Sequence, residues 1–135
     1  MKDTLQPGME TTRSFTVDKD RTIDFLGEEL RVYATPEFVR DVEVTCLEFL
    51  QQHCDDDESS VGIGIELTHS GATPLGGTVD ITVKVAEVDG RRVGFEVSAR
   101  DALDDVGKGR HGRFVVNVDQ LRQRVAAKVA KMKEA

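Results

Sequence analysis

The feature that most constrains the fold is a change in hydrophobic period near residue 60. Across residues 34–54 the apolar side chains recur at helical spacing, with Thr35 as the expected N-cap and Pro36 and Glu37 in the first turn. From residue 61 onward, apolar and polar residues alternate, as they do in half-buried strands. This order predicts one long amphipathic helix followed by antiparallel strands.

The predicted strands are long and separated by turn signals. One strand is expected before the helix, at 12–17, and four after it, at 61–68, 79–85, 93–99 and 106–118. Asp89-Gly90 between two of these runs predicts a hairpin, and residues 119–135 predict a basic terminal helix. A helix with an apolar stripe must be covered, which predicts an α+β fold with residues 1–135 in a single domain.

Composition narrows the classes of partner. With 39% hydrophobic and 32% charged residues, the chain is expected to be a soluble globular protein, and its net charge of −7 disfavours nucleic acid. No apolar run is long enough to cross a bilayer and the N-terminus lacks signal-peptide features, so we expect no membrane partner and a cytoplasmic location. Cys46 and Cys54 are predicted to be reduced thiols, with no metal site around them.

One carboxylate interrupts the apolar stripe of the helix. Glu43 lies one turn after Val39 and one turn before Leu47, whereas Asp41 and Glu48 fall on the predicted polar side. A buried carboxylate must be paired, hydrogen-bonded or protonated, and apolar surroundings raise the pKa of such a group towards that of a useful base. A side chain that reaches water, or one that pairs with a buried arginine, is the commoner explanation.

A histidine follows in the next predicted strand. His69 is in phase with the apolar side of that strand, and a helix wrapped by the strand could bring Glu43 and His69 together for acid–base chemistry. A lone histidine on an apolar face is more often an ordinary core residue. The sequence has no P-loop, nucleophile elbow or zinc-protease motif. Two basic clusters are candidates for binding phosphate, with surface charge as the commoner reading: Arg91, Arg92, Lys108, Arg110 and Arg113.

Three segments together carry a resemblance to a known family. They are ATPEFVRDVE, SVGIGIELTHSGATPLG and VDGRRVGFEVSARDALDDVGKGRHGR, in that order along most of the chain. They resemble the hot-dog thioesterases related to fluoroacetyl-CoA thioesterase. The resemblance implies a hot-dog fold, with a long central helix wrapped by a curved antiparallel sheet. It also implies hydrolysis of a small acyl-CoA, with coenzyme A as part of the substrate and no separate cofactor.

The resemblance also assigns roles to residues. Thr35, Glu43 and His69 match the catalytic trio of the family, and Gly62 matches the glycine whose backbone N–H polarises the thioester carbonyl. The basic residues listed above would then bind the phosphates of coenzyme A. Long strands leave sheet edges that usually pair with a second copy, so a homodimer is expected. Two alternatives stay open, a non-catalytic acyl-CoA-binding hot-dog module and a hot-dog dehydratase.

The spacing of these residues along the chain limits which of them can meet in one site. Thr35 and Glu43 are eight residues apart, or about 12 Å along a straight helix, so they cannot hydrogen-bond to one another. Gly62 and His69 are seven apart, which puts them on opposite faces of a regular strand unless a bulge intervenes or two subunits supply them. The segment before the helix carries only Phe25 where the fluoroacetyl-selective enzyme has a phenylalanine-bearing lid, which predicts a more general acyl-CoA hydrolase.

Overall fold

The chain forms one five-stranded antiparallel sheet and two long helices. The computed structural model describes residues 1–135, with α1 at Thr35–Gln51 and α2 at Val118–Glu134. Short 3-10 helices at Lys19–Arg21 and Glu28–Leu30 precede α1. The strands are β1 (Glu10–Thr16), β2 (Glu58–His69), β3 (Thr78–Asp89), β4 (Arg92–Arg100) and β5 (Asp105–Asn117). The predicted order of strand, helix, four strands and terminal helix is confirmed.

The strands are arranged in the order β1-β3-β4-β5-β2, with β1 and β2 at the edges. The predicted hairpin joins β3 to β4 through Gly90 and Arg91, because Asp89 pairs with Arg92. Gly90 has a φ of 59°, which a glycine adopts without strain and which suits a two-residue hairpin loop.

Helix α1 lies against one face of the sheet, and this contact forms the core. Phe38, Val42, Cys46 and Leu50, spaced four residues apart, are fully buried along a single stripe of the helix. They cluster with the inward-facing side chains of β3 and β4, namely Val79, Ile81, Val83, Val85, Val93, Phe95 and Val97. Each fully buried side chain of this size contributes about 1.5–3 kcal/mol. The core therefore fixes α1, and with it Glu43, over the sheet.

Two predictions about α1 are wrong. Thr35 does not cap the helix, because Ala34 occupies the N-cap position and Thr35 is the first helical residue. Asp41 is not on a solvated side, since it is only 2% exposed. The segment before α1 folds back over this side of the helix, so that the Tyr33 hydroxyl donates to Asp41 at 2.7 Å and the Arg21 Nε donates at 3.0 Å.

Strand β2 contains a bulge and forms an open edge of the sheet. Its register against β5 shifts between Gly62 and Gly64, so one extra residue is accommodated there. The outer edge of β2 has no neighbouring strand, and Val61, Ile63 and Ile65 are 38%, 48% and 39% exposed. This edge is both long and apolar, which are the features that favour pairing with another strand.

Helix α2 extends from the end of β5 and buries none of its residues. The Asn117 side chain caps its start by accepting from the backbone N–H of Gln120. Its apolar residues Val125, Val129 and Met132 are exposed. Neither helix of the protein is long and apolar enough to cross a membrane.

Candidate active site

The first part of the site joins the start of α1 to the end of β2. The Thr35 Oγ1 and His69 Nδ1 atoms are 2.8 Å apart, which is a hydrogen-bond distance. The His69 ring lies among the rings of Tyr33 and Phe38, with centroids 5.9 and 5.2 Å away. We call Thr35, His69, Tyr33 and Phe38 the histidine half-site.

Burial shapes the chemistry of His69. The loss of hydration lowers the pKa of the imidazole, so the ring is neutral at neutral pH. Its Nε2 atom is buried and has no hydrogen-bond partner. An open cavity of about 260 Å³ adjoins the ring and is lined by Ile23, Val32, Tyr33, Thr35, His69, Ser70, Gly71 and Ala72. A neutral imidazole beside a small cavity is suited to exchanging a proton with a small bound group that reaches Nε2.

The second part of the site surrounds Glu43, two turns further along α1. A Cβ atom built on Gly62 would lie 3.1 Å from Glu43 Oε2 and 3.3 Å from His111 Cε1. Glu43 Oε2 is 3.7 Å from Arg113 Nη1, and the Glu43 side chain is 45% exposed. We call Glu43, Gly62, His111 and Arg113 the carboxylate half-site. Any larger residue at this position would push the Glu43 carboxylate away from the backbone of β2.

The ion pair with Arg113 is the ordinary alternative that the sequence left open for Glu43. Arg113 is 4% exposed, so it does not join the surface cations with which it was grouped. Its Nε donates to Ser60 Oγ at 2.8 Å and its Nη2 donates to Ser60 O at 2.8 Å. Arg113 therefore holds Glu43 from inside the protein.

His111 is a further member of the site and is not among the site residues predicted from the sequence. The ring is 3% exposed, with Nδ1 2.8 Å from the carbonyl oxygen of Gly64 and Nε2 3.1 Å from Arg113 Nη1. The available signal was the alternation of His111, Arg113 and Val115, which puts all three side chains on the same face as the core.

The bulge in β2 brings both half-sites to the same face of the sheet. Without it, Gly62 and His69 would lie on opposite faces, whereas the extra residue between Gly62 and Gly64 restores a common face. Both half-sites therefore contact α1. They remain separate within one chain, because Thr35 and Glu43 are about 12 Å apart along the helix.

The remaining basic residues lie away from this face. Lys108 and Arg110 alternate with the inward-facing residues of β5, so they project from the side of the sheet opposite α1. Arg110 pairs with Glu66 at 3.3 Å, and Arg91 pairs with the buried Glu58 at 2.8 Å. Arg92 and Lys108 have no ion-pair partner in this chain. These four residues do not converge on Glu43 or His69 within one copy.

No group of three or more His, Cys, Asp or Glu side chains is arranged to hold a metal ion. Cys46, which lies near Glu43 and Arg113 in the core, is a free thiol whose pKa burial raises to about 12. Its thiol is therefore protonated and a poor nucleophile.

The chain matches a known family along most of its length. Residues 17–119 match the family described as fluoroacetyl-CoA-specific thioesterase. The chain belongs to this family. The fluoroacetyl-CoA thioesterase of Streptantibioticus cattleyicolor is 33% identical over 135 residues, which cover 95% of this chain and 97% of that relative. The predicted family and the predicted enzyme class, a thioester hydrolase, are confirmed.

Solved structures extend the likeness to the fold. A mutant of the fluoroacetyl-CoA-specific thioesterase, in complex with fluoroacetate and CoA, matches with a TM-score of 0.79 at 31% identity, covering 87% of this chain and 99% of that chain. A hot-dog-like protein from Thermanaerovibrio acidaminovorans matches with a TM-score of 0.83 at 27% identity, covering 90% of this chain and 91% of that chain. The predicted hot-dog fold is confirmed.

Proposed function

We propose that the protein hydrolyses a small acyl-CoA, using Glu43, His69 and Thr35 as catalytic residues and the backbone N–H of Gly62 as an oxyanion donor. The observation that carries the proposal is the pair of half-sites on one face of the sheet, one with an unpartnered, buried imidazole nitrogen and one with a carboxylate against a glycine. Relatives in the family act on fluoroacetyl-CoA, and one was solved with fluoroacetate and CoA.

The reaction needs a nucleophile, a proton carrier and a donor for the developing negative charge. In one route, water adds to the thioester carbonyl as Glu43 or His69 takes its proton, and the C–S bond then breaks. In the other, Glu43 attacks the carbonyl to give an anhydride, which water hydrolyses. In both routes His69 delivers a proton to the leaving thiolate, and the products are the carboxylic acid and free coenzyme A. The Gly62 N–H stabilises the oxyanion, an effect worth about 3–4 kcal/mol in known enzymes.

A second copy of the chain completes the site. If two β2 edges pair antiparallel about a two-fold axis at Glu66, Ile65 of one copy lies opposite Leu67 of the other. The bulge then brings Gly62 of one copy opposite His69 of the other, with their Cα atoms about 5 Å apart. This arrangement pairs the open backbone edge of β2, along which Val61, Ile63 and Ile65 are exposed. The half-sites that meet then come from different copies, so the separation of about 12 Å within one chain no longer keeps them apart.

Substrate preference follows from the small cavity and the segment before α1. A cavity of about 260 Å³ beside His69 suits a short acyl group. Phe25 is 74% exposed and so does not close over His69 in this chain. We expect acetyl-CoA and fluoroacetyl-CoA both to be hydrolysed. Arg92 and Lys108, the basic residues without ion-pair partners, are the candidates to bind coenzyme A phosphates.

Following release of free thiol from a panel of acyl-CoAs tests the proposal. Glu43→Gln should lower kcat by about 10²- to 10⁴-fold, because the amide is neither a base nor a nucleophile. Glu48→Gln is the matched control, since Glu48 lies on the same helix but is exposed and pairs only with Arg13. Full activity of Glu43→Gln would reject the site. Binding of acyl-CoA without thiol release would favour the non-catalytic module, and an enoyl product would favour the dehydratase.

A further inference from the structure

The contacts of His111 determine which of its ring nitrogens carries the proton. Its Nδ1 lies 2.8 Å from the carbonyl oxygen of Gly64, and its Nε2 lies 3.1 Å from Arg113 Nη1. A carbonyl oxygen can only accept a hydrogen bond and a guanidinium can only donate one. His111 is therefore neutral, with its proton on Nδ1 and an acceptor lone pair on Nε2.

Arg113 attaches to β2 on the other side of the bulge. Its Nε and Nη2 both donate to Ser60, whereas His111 holds Gly64. The two side chains thus bind β2 two residues before and two residues after Gly62. The same guanidinium faces Glu43 at 3.7 Å, so one hydrogen-bonded unit controls both the glycine and the carboxylate.

We propose that His111 is a positioning residue for thioester hydrolysis, which fixes the Gly62 bulge and aims Arg113 at Glu43 by remaining neutral between Gly64 and Arg113. The inference rests on the proposed function. Protonation of Nε2 would place an N–H against the N–H of Arg113, replacing a hydrogen bond by repulsion between two cations. His111 therefore links the geometry of the site to pH without touching the substrate.

The groups around His111 set the pH at which its Nε2 atom becomes protonated. Glu43 of α1 faces the His111 ring, and Cys46 lies beside Glu43. Arg113 faces the ring from the same strand as His111. Its cross-strand neighbours, Phe95 and Ile65, do not titrate. Burial lowers the pKa of His111, as does the positive charge of Arg113, while the bond to Gly64 and the charge of Glu43 oppose this. The ring is thus neutral at neutral pH, and activity should fall as the pH drops through its lowered pKa.

Two substitutions separate the two contacts. In His111→Asn the amide N–H can take the place of Nδ1–H towards Gly64, but no acceptor reaches Arg113. In His111→Gln the amide oxygen can take the place of Nε2 towards Arg113, but the bond to Gly64 is lost. We expect each variant to lose about 10- to 100-fold in kcat with little change in KM, because the reacting groups are misplaced rather than removed.

The pH profile distinguishes this role from a merely structural one. Neither replacement side chain titrates, so the part of the acid limb of kcat that belongs to His111 should disappear in both variants. His53→Asn is the matched control, because His53 is half-buried and its ring contacts the Thr4 hydroxyl near the N-terminus. That variant should keep the kcat and the pH profile of the wild type.

The wild-type protein provides a second test that does not depend on the variants folding. Nitrogen-15 NMR of the histidine rings should show the His111 proton on Nδ1 at neutral pH, with protonation of Nε2 following the acid limb. A proton on Nε2 at neutral pH would overturn the inference. So would His111 variants with wild-type kcat and pH profile alongside an inactive Glu43→Gln, a result that leaves the proposed function intact. An active Glu43→Gln would instead remove the proposed function.

Discussion

The two half-sites contact the same helix and the same strand, yet their surroundings are opposite in character. The histidine half-site is aromatic, and its ring keeps one buried nitrogen without a partner. In the carboxylate half-site, His111 and Arg113 are held by hydrogen bonds to β2. The two half-sites are therefore complementary. The base in the histidine half-site needs a group that stabilises negative charge, and the carboxylate in the other half-site needs a proton carrier.

This difference is the reason for proposing that the site needs two copies. The core that fixes α1 also fixes the distance of about 12 Å between Thr35 and Glu43, so no side-chain rotation can bring the half-sites together. The exposed, apolar edge of β2 lies between them in sequence and offers the surface through which two copies can combine.

Gly62→Ala should have the largest effect among the changes that preserve every catalytic side chain. The new methyl group would lie 3.1 Å from Glu43 Oε2 and 3.3 Å from His111 Cε1, so the carboxylate must move. We expect a loss of about 10- to 100-fold in kcat, because the carboxylate is misaligned while the Gly62 backbone N–H is kept. Gly64→Ala is the control, because a Cβ there meets nothing within 4 Å. Equal kcat values in the two variants would show that Gly62 has no special place in the site.

Thr35→Val should have a smaller effect, limited to the histidine half-site. The substitution keeps the shape of the side chain and removes the hydrogen bond to His69 Nδ1. We expect kcat to fall about tenfold, the value of one hydrogen bond. Thr12→Val, on the exposed strand β1, is a matched control at a threonine that pairs only with Thr82. A Thr35→Val enzyme with wild-type kcat would assign the hydroxyl no role in catalysis.

Tyr33→Phe should change stability more than activity. The hydroxyl donates to the buried Asp41, and burial raises the pKa of Tyr33, so it remains a donor at any ordinary pH. Removing it leaves Asp41 with Arg21 alone, which we expect to lower the free energy of unfolding by about 1–3 kcal/mol. Urea denaturation measures this directly. An unchanged unfolding midpoint would show that the hydroxyl does not support the histidine half-site.

Sequence periodicity predicts the elements of this fold well because helix and strand patterns depend on local spacing. The hydrophobic stripe of α1 and the alternation in β3 and β4 correspond to the core that forms. Asp41 was misplaced because its partners, Tyr33 and Arg21, come from an irregular segment that carries no periodic signal.

The site was predictable only in part. Glu43 and His69 stand out because each interrupts or continues an apolar pattern. The charge of Arg113 suggests a phosphate-binding or surface residue, although its alternation with Val115 points to the core face. The bulge at Gly62 leaves no clear signal, because one extra residue changes the facing of a strand without changing its composition. The proposed meeting of the half-sites would depend on a second copy, which no pattern within one chain describes.

Restoration of activity by two inactive variants tests the central claim most directly. Glu43→Gln retains the histidine half-site and His69→Asn retains the carboxylate half-site, so a mixed dimer would contain one complete site. Equal amounts of the two, unfolded and refolded together, should recover about a quarter of wild-type activity, because half of the dimers are mixed and each has one of two sites intact. A mixture no more active than the separate variants would contradict the account, since each chain would then have to provide a whole site by itself.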